Sequence, residues 1–309
     1  MTTIFGYLRC PECGQRLDAV TPAALRCRGG HEFPIRDGVP RFTKETTETA
    51  EYFGYMWGAQ AATVVPPTTP WPYHLHAMQQ ALDAPPFEGL ILDAGCGEGI
   101  DLSMVALDPQ CEVIGVELSE GGVATSLART NGLDRAHVVQ GDLLRIPIAD
   151  ATFDGAYSYG VVHHTPDPAR AVREIARTLK PGAPFLFYVY EDFSDRSLAW
   201  RVALAAANSV RVVTTQLPPR LLMRLCKILS PVVFVLLTLP SRYFSWAKRF
   251  PYRHGTTPWS MSGDLYDRLS APIEERYSKD GAATLATAAG LRVERIASRR
   301  GWMVYATKP

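Results

Sequence analysis

The 309-residue sequence lacks the features that would place it in a membrane or outside the cell. Its longest apolar run, PVVFVLLTL, is far shorter than the roughly 20 residues that a membrane-spanning helix requires. The first residues, MTTIFGYLRC, lack a basic segment followed by an apolar stretch, so we expect no secretion signal. We therefore expect a cytoplasmic protein.

Cysteines and net charge are also low. Six cysteines are present, three of them near the amino terminus and three scattered singly, which excludes a disulfide framework. The net charge of +1 excludes a strong field that would draw the whole molecule to nucleic acid or to a membrane. A composition of 47% hydrophobic and 20% charged residues is typical of a globular protein, here one large domain with a small satellite.

Short apolar segments alternate with helical ones from residue 89 onward. Each apolar segment is four to eight residues long and rich in β-branched or aromatic residues, and this spacing predicts βαβ units around a parallel sheet. The last two segments flank RRG and predict a closing hairpin, which would place an antiparallel strand near one edge. The predicted strands are GLILDAG, CEVIGVEL, AHVVQGDLL, FDGAYSYGVV, APFLFYVYE, LRVERIAS and GWMVYATK.

Residues 194–254 interrupt this alternation with an apolar and basic insert. Prolines at positions 218, 219, 231 and 240 predict that it is cut into short helical pieces. Ten Lys or Arg residues stand against the single acid Asp195, so the insert carries about +9 and the remainder of the chain about −8. Such a surface would suit a greasy anionic ligand or the inner face of an anionic membrane. An ordinary helical subdomain with a solvated basic face is the alternative.

A glycine-rich loop, LDAGCGEG, follows the first strand of the predicted sheet. Gly95, Gly97 and Gly99 allow the backbone to turn sharply and to approach a ligand closely. No GKS or GKT follows, which excludes a P-loop.

Acidic residues end three successive strands near this loop. Asp93 precedes the glycines, where a carboxylate would repel a pyrophosphate and would accept a cationic or hydroxylated ligand. Glu117 lies about 20 residues further on and is placed to bind ribose hydroxyls. Asp142 ends the third strand and is placed to accept a hydrogen bond from an exocyclic amine. The pattern predicts a pocket for a positively charged adenosine derivative.

Four motifs in order resemble the class I S-adenosylmethionine-dependent methyltransferases, most closely the branch similar to ubiquinone and menaquinone C-methyltransferases. They are ILDAGCGEG, VIGVELSEGGV, VVQGDLLRIPIADATFDGAYSYGVVHHTPDP and ARTLKPGAPFLFYV. The resemblance implies an α/β fold with a Rossmann-like seven-stranded sheet and S-adenosylmethionine as cofactor, with S-adenosylhomocysteine as product. It places the methionine part at Asp93 and the glycines, the ribose at Glu117, and the adenine at Asp142 and Leu143. A nucleotide-binding domain without methyl transfer is the alternative.

Residues after the fourth and fifth strands face the expected position of the methyl group, because ligands lie at the carboxyl ends of the strands. His164, His163 and Tyr159 are the catalytic candidates, with an imidazole as general base. A loop-holding role for one imidazole, and transfer by proximity without a base, are the alternatives. Tyr190, Arg276 and Tyr277 are candidate substrate residues, and the aromatic segment 51–60 forms either a lid over the cofactor or part of the core.

The amino-terminal cysteines predict a structural metal site. Cys10, Cys13, Cys27 and His31 have the spacing C-x2-C-x13-C-x3-H, and three thiolates with one imidazole satisfy tetrahedral zinc without an open position. A redox pair would follow a strand of a thioredoxin-like unit, which this segment lacks. An unmetallated ribbon is the alternative.

This ribbon resembles the zinc module of bacterial ribosomal RNA guanine-N1 methyltransferases, and also short domains fused to methyltransferases of biosynthetic clusters. The first resemblance implies an RNA substrate, and the second a small molecule. Residues 1–42 carry six arginines against four acids, a net charge of only +2, which favours the small molecule.

The sequence thus predicts five segments and one principal function. The segments are a zinc ribbon (1–42), a linker with lid helices (43–88), the cofactor-binding core (89–193), a helical insert that caps the substrate (194–260) and the end of the core (261–309). The predicted function is methyl transfer to a small, lipid-like or natural-product acceptor, in the cytoplasm or at the inner face of the membrane. The alternatives are methylation of an rRNA or tRNA base and a non-catalytic cofactor-binding regulator.

Overall fold

The structure, a computed structural model, describes residues 4–43, 48–58, 61, 64–71, 73–245, 257–258, 261–299 and 301–309. Parts of the predicted linker, and Trp246, Lys248, Arg249, Phe250, Tyr252 and Arg253 of the insert, lie outside the described residues. The described elements form a small antiparallel sheet, a seven-stranded sheet with helices on both faces, and a helical insert.

The seven-stranded sheet has the strand order β10-β11-β9-β8-β5-β6-β7. Strands β5 to β9 are parallel, whereas β11 pairs antiparallel with both β9 and β10. The predicted Rossmann-like fold with a closing hairpin is therefore confirmed. The strands are β5 (Gly89–Ala94), β6 (Cys111–Glu117), β7 (Ala136–Gln140), β8 (Gly155–Tyr159), β9 (Pro184–Val189), β10 (Arg292–Ser298) and β11 (Trp302–Thr307).

Apolar cores lie on both faces of this sheet because its central strands are buried on both sides. Leu92, Ile114 and Phe187 point to one core, and Ile91, Val113 and Leu186 point to the other. Such continuous apolar strands are expected where helices cover both faces. The covering helices are α2 (His74–Leu82), α3 (Ile100–Ala106), α4 (Glu120–Thr130), α5 (Pro168–Thr178) and α10 (Lys279–Ala288).

The amino-terminal ribbon is a four-stranded antiparallel sheet that packs on the large domain. Its apolar residues Leu8, Leu17 and Leu25 belong to the same buried cluster as Val139 and Ile148 of the large domain. The ribbon and the large domain therefore share one core. The ribbon strands are β1 (Leu17–Thr21), β2 (Ala24–Cys27), β3 (Glu32–Arg36) and β4 (Val39–Pro40).

The insert contains longer helices than the sequence predicted. Helix α6 is Leu198–Thr214, and helical backbone then runs without a break from Pro219 to Tyr243 as α7 (Pro219–Val233), a π-helical turn (Phe234–Thr238) and α8 (Leu239–Tyr243). The prediction that Pro231 and Pro240 cut this segment was wrong. Pro231 removes one backbone hydrogen-bond donor from the helix. The wider π turn ends just before Pro240 and allows the helical backbone to continue through that proline. Cys226 and Phe234 pack inward and stabilise the helical run.

This run also corrects the expectation that the insert holds no segment of spanning length. Its 25 residues include an 18-residue stretch with a mean hydropathy of 2.0, and the run is long and apolar enough to cross a membrane by length and composition. Only 28% of its most apolar stretch is buried. On its inner side, the run packs on α1 (Glu48–Gly58) and α9 (Ser262–Ser270) through a small cluster that includes Tyr52, Leu222 and Tyr266.

Candidate functional site

The glycine loop turns directly from the carboxyl end of β5 into α3. Gly95, Gly97 and Gly99 have φ angles of +84°, +52° and +76°, which side chains other than glycine rarely adopt. A Cβ atom at Gly95 would lie 2.4 Å from a methyl carbon of Val161, and one at Gly97 would lie 3.0 Å from the Trp57 ring. The loop therefore requires glycine both for its conformation and for its close packing.

Three carboxylates surround this loop. Asp93, Asp101 and Glu117 are 4%, 8% and 6% exposed. Burial raises the pKa of Asp93 well above its ordinary value, and the negative charges of Asp101 and Glu117 raise it further. The Tyr157 hydroxyl donates to Asp93 Oδ2 at 2.8 Å and opposes this shift. Concentrated buried negative charge favours a positively charged ligand, which would relieve the repulsion.

Glu117 joins the ends of two strands. Its Oε2 accepts a hydrogen bond from the Gly97 N–H at 3.0 Å, and its Oε1 accepts from the Ser119 N–H and hydroxyl at 2.8 Å each. The carboxylate that we predicted to bind ribose thus also fixes the glycine loop.

The predicted adenine residues lie in the loop after β7. Gly141 N–H donates to the Glu117 carbonyl at 3.0 Å, which ties this loop to the end of β6. Asp142 Oδ1 accepts from the Leu144 N–H at 2.8 Å, and Leu143 is 6% exposed. The structure therefore brings Asp142 and Leu143 to the same edge as Asp93 and Glu117.

His163 and His164 lie in a 3-10 turn (Val162–His164) after β8, and both are buried. His164 Nδ1 lies 2.7 Å from the Ile273 carbonyl, whereas neither ring nitrogen of His163 has a hydrogen-bond partner in the part of the chain that the structure describes. Burial lowers the pKa of His163 well below its ordinary value and also lowers the pKa of His164. Both imidazoles are therefore held in the neutral form.

Tyr159 ends β8 and lies in an aromatic stack. Its ring is 4.1 Å from the His74 ring and 4.7 Å from the Tyr188 ring, and both pairs are nearly parallel. His74 Nδ1 lies 2.7 Å from Asp101 Oδ2, while Asp101 Oδ1 accepts from the Leu75 N–H at 2.8 Å. A histidine paired with an aspartate therefore lies against a predicted catalytic residue.

Sequence reasoning missed His74 and Asp101. His74 begins α2, 15 residues before the first strand of the sheet, and no motif marks it. Burial lowers the pKa of His74, but the hydrogen bond and the negative charge of Asp101 raise it overall above its ordinary value. Asp101 was the one available signal, since it is an acidic residue two positions after the last glycine of the loop.

The three candidate substrate residues meet beside the buried histidines. Arg276 lies over the Tyr190 ring at 5.3 Å, and the Tyr190 ring lies 4.2 Å from the His163 ring. Tyr277 N–H donates to the Tyr190 carbonyl at 2.8 Å, while its hydroxyl donates to Glu275 at 2.6 Å. The structure brings Tyr190 and Arg276 next to His163, and the Tyr277 hydroxyl turns to a neighbouring glutamate.

Helix α1 crosses the glycine loop. The Phe53 ring lies 5.4 Å from the His164 ring and stacks on Trp57 at 5.3 Å, and Trp57 covers Gly97. Gly54 and Gly121 allow α1 to pack closely on α4, because a Cβ at Gly121 would collide with the Gly54 carbonyl. Phe53 is buried, so α1 both packs into the protein and covers the loop.

The ribbon brings its three cysteines and one histidine together. The four ligand atoms of Cys10, Cys13, Cys27 and His31 lie within 4.8 Å of one another. Cys13 Sγ is 3.6 Å from Cys27 Sγ, and His31 Nδ1 is 3.6 Å from Cys10 Sγ and 3.4 Å from Cys27 Sγ. Zinc bonds of about 2.3 Å to sulfur and about 2.0 Å to nitrogen, arranged tetrahedrally, give edges of about 3.5–3.8 Å. The donor set and its spacing fit zinc.

The ribbon contacts the loop that carries the predicted adenine residues. Leu8 and Ile148 form a backbone bridge, in which Arg9 N–H donates to the Pro147 carbonyl and Ala149 N–H donates to the Tyr7 carbonyl, each at 2.9 Å. This contact holds the far end of the loop that begins at Asp142.

The fold is a Rossmann-like domain in which buried carboxylates surround a glycine loop at the carboxyl end of the parallel strands. Residues 92–187 match the family described as "Methyltransferase domain". This part of the chain is therefore similar to methyltransferase domains.

Curated relatives extend the comparison along part of the chain. A 24-methylenesterol C-methyltransferase 2 of Oryza sativa subsp. japonica is 35% identical over 144 residues, which are 43% of this chain and 39% of that protein. A 24-methylenesterol C-methyltransferase 3 of Arabidopsis thaliana is 38% identical over 101 residues, which are 32% of this chain and 28% of that protein. The chain spans about a third of the length of the curated relatives it matches.

Solved structures include a similar chain. The crystal structure of a SAM-dependent methyltransferase from Aquifex aeolicus matches with a TM-score of 0.42 and 16% identity, and covers 71% of this chain and 82% of that one.

Proposed function

We propose that the chain transfers a methyl group from S-adenosylmethionine to a small, lipid-like acceptor. The observation that carries the proposal is the group of three buried carboxylates, Asp93, Asp101 and Glu117, around a loop that only glycine can form. S-adenosylmethionine is a cationic nucleoside, and it supplies an electrophilic methyl group when bound. The residues around the loop fit this ligand. Two carboxylates suit its positive charge and its hydroxyl groups, and Asp142 is suited to accept a hydrogen bond from its amine.

The chain's own residues orient the ligands and exclude water. The glycine loop and Glu117 hold the sugar end, and Phe53 and Trp57 of α1 cover the loop, which keeps water from the cleft. Tyr159 and the neutral His163 and His164 form the wall at the end of β8. Orientation within such a cleft supplies much of the rate.

His74 is the residue that we propose for taking a proton from the acceptor. Asp101 fixes its Nδ1, so Nε2 is left to accept a proton, and its side chain remains 47% exposed. His164 keeps its predicted role as an alternative base, but its Nδ1 is engaged with the Ile273 carbonyl and the ring is buried. A paired and accessible imidazole is better placed for proton transfer.

The acceptor class follows from two supports. The rice and Arabidopsis relatives are named for sterol methylation, which concerns a lipid acceptor, although each aligns over less than half of its length. The apolar insert packs on α1 and α9, the helices next to His164 and Tyr190. An apolar cover beside the cleft suits an apolar acceptor.

We further propose that the ribbon binds one structural zinc ion through Cys10, Cys13, Cys27 and His31. Its role is to order the ribbon against the cofactor-binding core. The similarity of the ribbon to the ribosomal RNA enzymes stays a prediction, since the family match covers residues 92–187 only.

Labelled S-adenosylmethionine tests the acceptor class. The full chain is incubated with a lipid extract and, separately, with total RNA, and S-adenosylhomocysteine serves as the competing product. We expect label in the organic phase that disappears with the competitor. Label in RNA would instead support the base methyltransferase, and tight cofactor binding without transfer to either pool would support the regulator.

The His74–Asp101 pair is tested by NMR titration of the His74 imidazole. We expect its pKa to lie above 6.5 and to fall in Asp101→Asn, because the amide removes the negative charge while burial still disfavours the charged imidazole. Asp134→Asn, an exposed aspartate next to the amino end of β7, is the matched control and should leave the titration unchanged. An unchanged pKa in Asp101→Asn would remove the basis for His74 as the base.

A further inference from the structure

The insert exposes most of the large apolar side chains on the described surface. Eighteen such side chains are exposed among the described residues, and 15 of them lie between Leu198 and Phe244. The other three are Val20, Val65 and Trp71. Exposed apolar side chains concentrated in one segment indicate a surface that meets another apolar phase.

The continuous helical run from Pro219 to Tyr243 exposes many apolar side chains and buries several polar ones. Its inward face includes three hydroxyl side chains and one thiol. The buried residues of the run are Leu222, Cys226, Ser230, Phe234, Thr238 and Ser241. Its outward face is mainly aliphatic, with Arg220, Arg224 and Lys227 exposed in its first half. The exposed aliphatic residues are Leu221, Leu225, Ile228, Leu229, Val232, Val235, Leu236 and Leu239. A helix of a globular protein normally shows the opposite arrangement.

Helix α6 also exposes apolar side chains. It has no buried residue along its 17 positions, and Val202, Val210 and Val213 are 59%, 51% and 64% exposed. Its carboxyl end is fixed, because Arg211 pairs with Glu274 at 2.7 Å and the Thr214 hydroxyl donates to the Leu269 carbonyl at 2.7 Å. The helix is therefore anchored at one end and presents apolar side chains along the rest.

The charge of this surface indicates the kind of partner that it binds. Residues 194–245 contain seven Lys or Arg residues and one acid, and Arg220, Arg224 and Lys227 are exposed in the first half of α7. No charged residue occurs from 228 to 241, a stretch about 21 Å long. Apolar side chains beside a basic group match the boundary between acyl chains and anionic headgroups. A second copy of the chain would bring the same positive charge and would repel it.

We propose that α6, α7 and α8 form a docking surface for an anionic lipid membrane, with the helices in the plane of the interface. A spanning arrangement would detach the inward face from Tyr52, Leu265 and Tyr266, with which Leu222 and Cys226 form a buried cluster. It would also break the hydrogen bonds from the Tyr52 hydroxyl to the Thr215 and Leu217 carbonyls, at 2.7 and 2.6 Å. The surface lies outside the cofactor cleft, so this inference does not depend on the proposed acceptor.

Vesicle sedimentation with the purified full chain tests the docking surface. We expect binding to vesicles that contain phosphatidylserine, weak binding to pure phosphatidylcholine, and loss of binding as salt screens the charges. The double variant Ile228→Ser with Leu236→Ser should bind the anionic vesicles at least about tenfold more weakly, because two apolar side chains no longer enter the interface. The double variant Arg220→Gln with Arg224→Gln should lose affinity and salt dependence together.

A matched control separates docking from general surface polarity. The variant Val20→Ser with Val65→Ser removes two exposed apolar side chains elsewhere and should bind as wild type. All substituted residues are exposed, and an unchanged thermal midpoint would show intact folding. Vesicle binding that is absent in wild type, or equal in the Ile228→Ser and Leu236→Ser variant, would overturn the proposal. A wild-type dimer that the Ile228→Ser and Leu236→Ser variant dissociates would show a dimer interface and would overturn the proposal. A chain that is released from host membranes only by detergent would indicate a spanning segment and would also overturn it.

Discussion

Replacement of Asp93 by asparagine is expected to weaken the binding of S-adenosylmethionine by roughly 30- to 150-fold. The ionised carboxylate attracts a cationic ligand and accepts a charge-assisted hydrogen bond, an interaction of about 2–3 kcal/mol that a neutral amide lacks. Asparagine keeps the shape of the side chain and the hydrogen bond from the Tyr157 hydroxyl. The loss therefore reports the charge of Asp93 rather than the packing.

The same substitution should remove the pH dependence of binding. The pKa of Asp93 is raised well above its ordinary value in the free protein, while a cation favours the ionised form. At pH values below the raised pKa, binding must release a proton, so affinity falls as the pH is lowered. Calorimetry in buffers of different ionisation enthalpy counts this proton, and Asp93→Asn should release none.

Stability gives the control for folding. A carboxyl group whose pKa is raised by folding stabilises the native state at low pH, and this stabilisation is lost as the pH rises above the ordinary value of 3.8. Above that value the raised pKa of Asp93 opposes folding, so at neutral pH Asp93→Asn should unfold at the same or a higher temperature than wild type. Asp134→Asn should bind the cofactor as wild type. If Asp93→Asn bound S-adenosylmethionine with wild-type affinity, Asp93 would not be part of the cofactor site.

The sequence was sufficient to predict the sheet and the glycine loop that follows its first strand. Buried parallel strands are continuous apolar runs, and the positive φ angles of Gly95 and Gly97 leave glycine as the suitable residue, so both features are visible without a structure. The positions of Glu117 and Asp142 followed from the rule that ligands lie at the carboxyl ends of strands.

The placement of His74 depends on contacts between distant segments. His74 reaches Asp101 and Tyr159 only because α2 packs across the sheet, and no periodicity in the sequence records that contact. The length of the insert helix was missed for a different reason. The sequence pattern predicts a helix end at Pro231. A proline inside a helix removes a single backbone hydrogen bond, however, and side-chain packing can hold the helix together.

Removal of zinc is expected to destabilise the protein and to weaken cofactor binding at the same time. Chelation removes the zinc ion and Cys27→Ser removes one of its four ligands, and either change takes away the metal bonds that order a ribbon with few apolar residues of its own. Because Leu8, Leu17 and Leu25 share one core with the large domain, we expect the thermal midpoint to fall by on the order of 10 °C.

The effect on the cofactor follows from the backbone bridge between Leu8 and Ile148. The ribbon holds the loop that begins at Asp142, so a disordered ribbon releases the residues predicted to bind adenine. We expect S-adenosylmethionine affinity to fall by about tenfold, within the usual range for coupling between two sites. By reciprocity, the cofactor should raise the affinity for zinc by the same factor.

Three measurements decide this coupling: metal content, the unfolding midpoint and calorimetric cofactor affinity. Wild type purified without chelators should contain about one zinc ion per chain, and Cys27→Ser almost none. Cys226→Ser is the matched control, because it replaces another buried thiol in the insert helix and should keep both zinc and affinity. A wild-type protein without zinc after anaerobic purification would refute the metal site. A chelated protein that binds S-adenosylmethionine as tightly as before would show that the ribbon does not position the adenine loop.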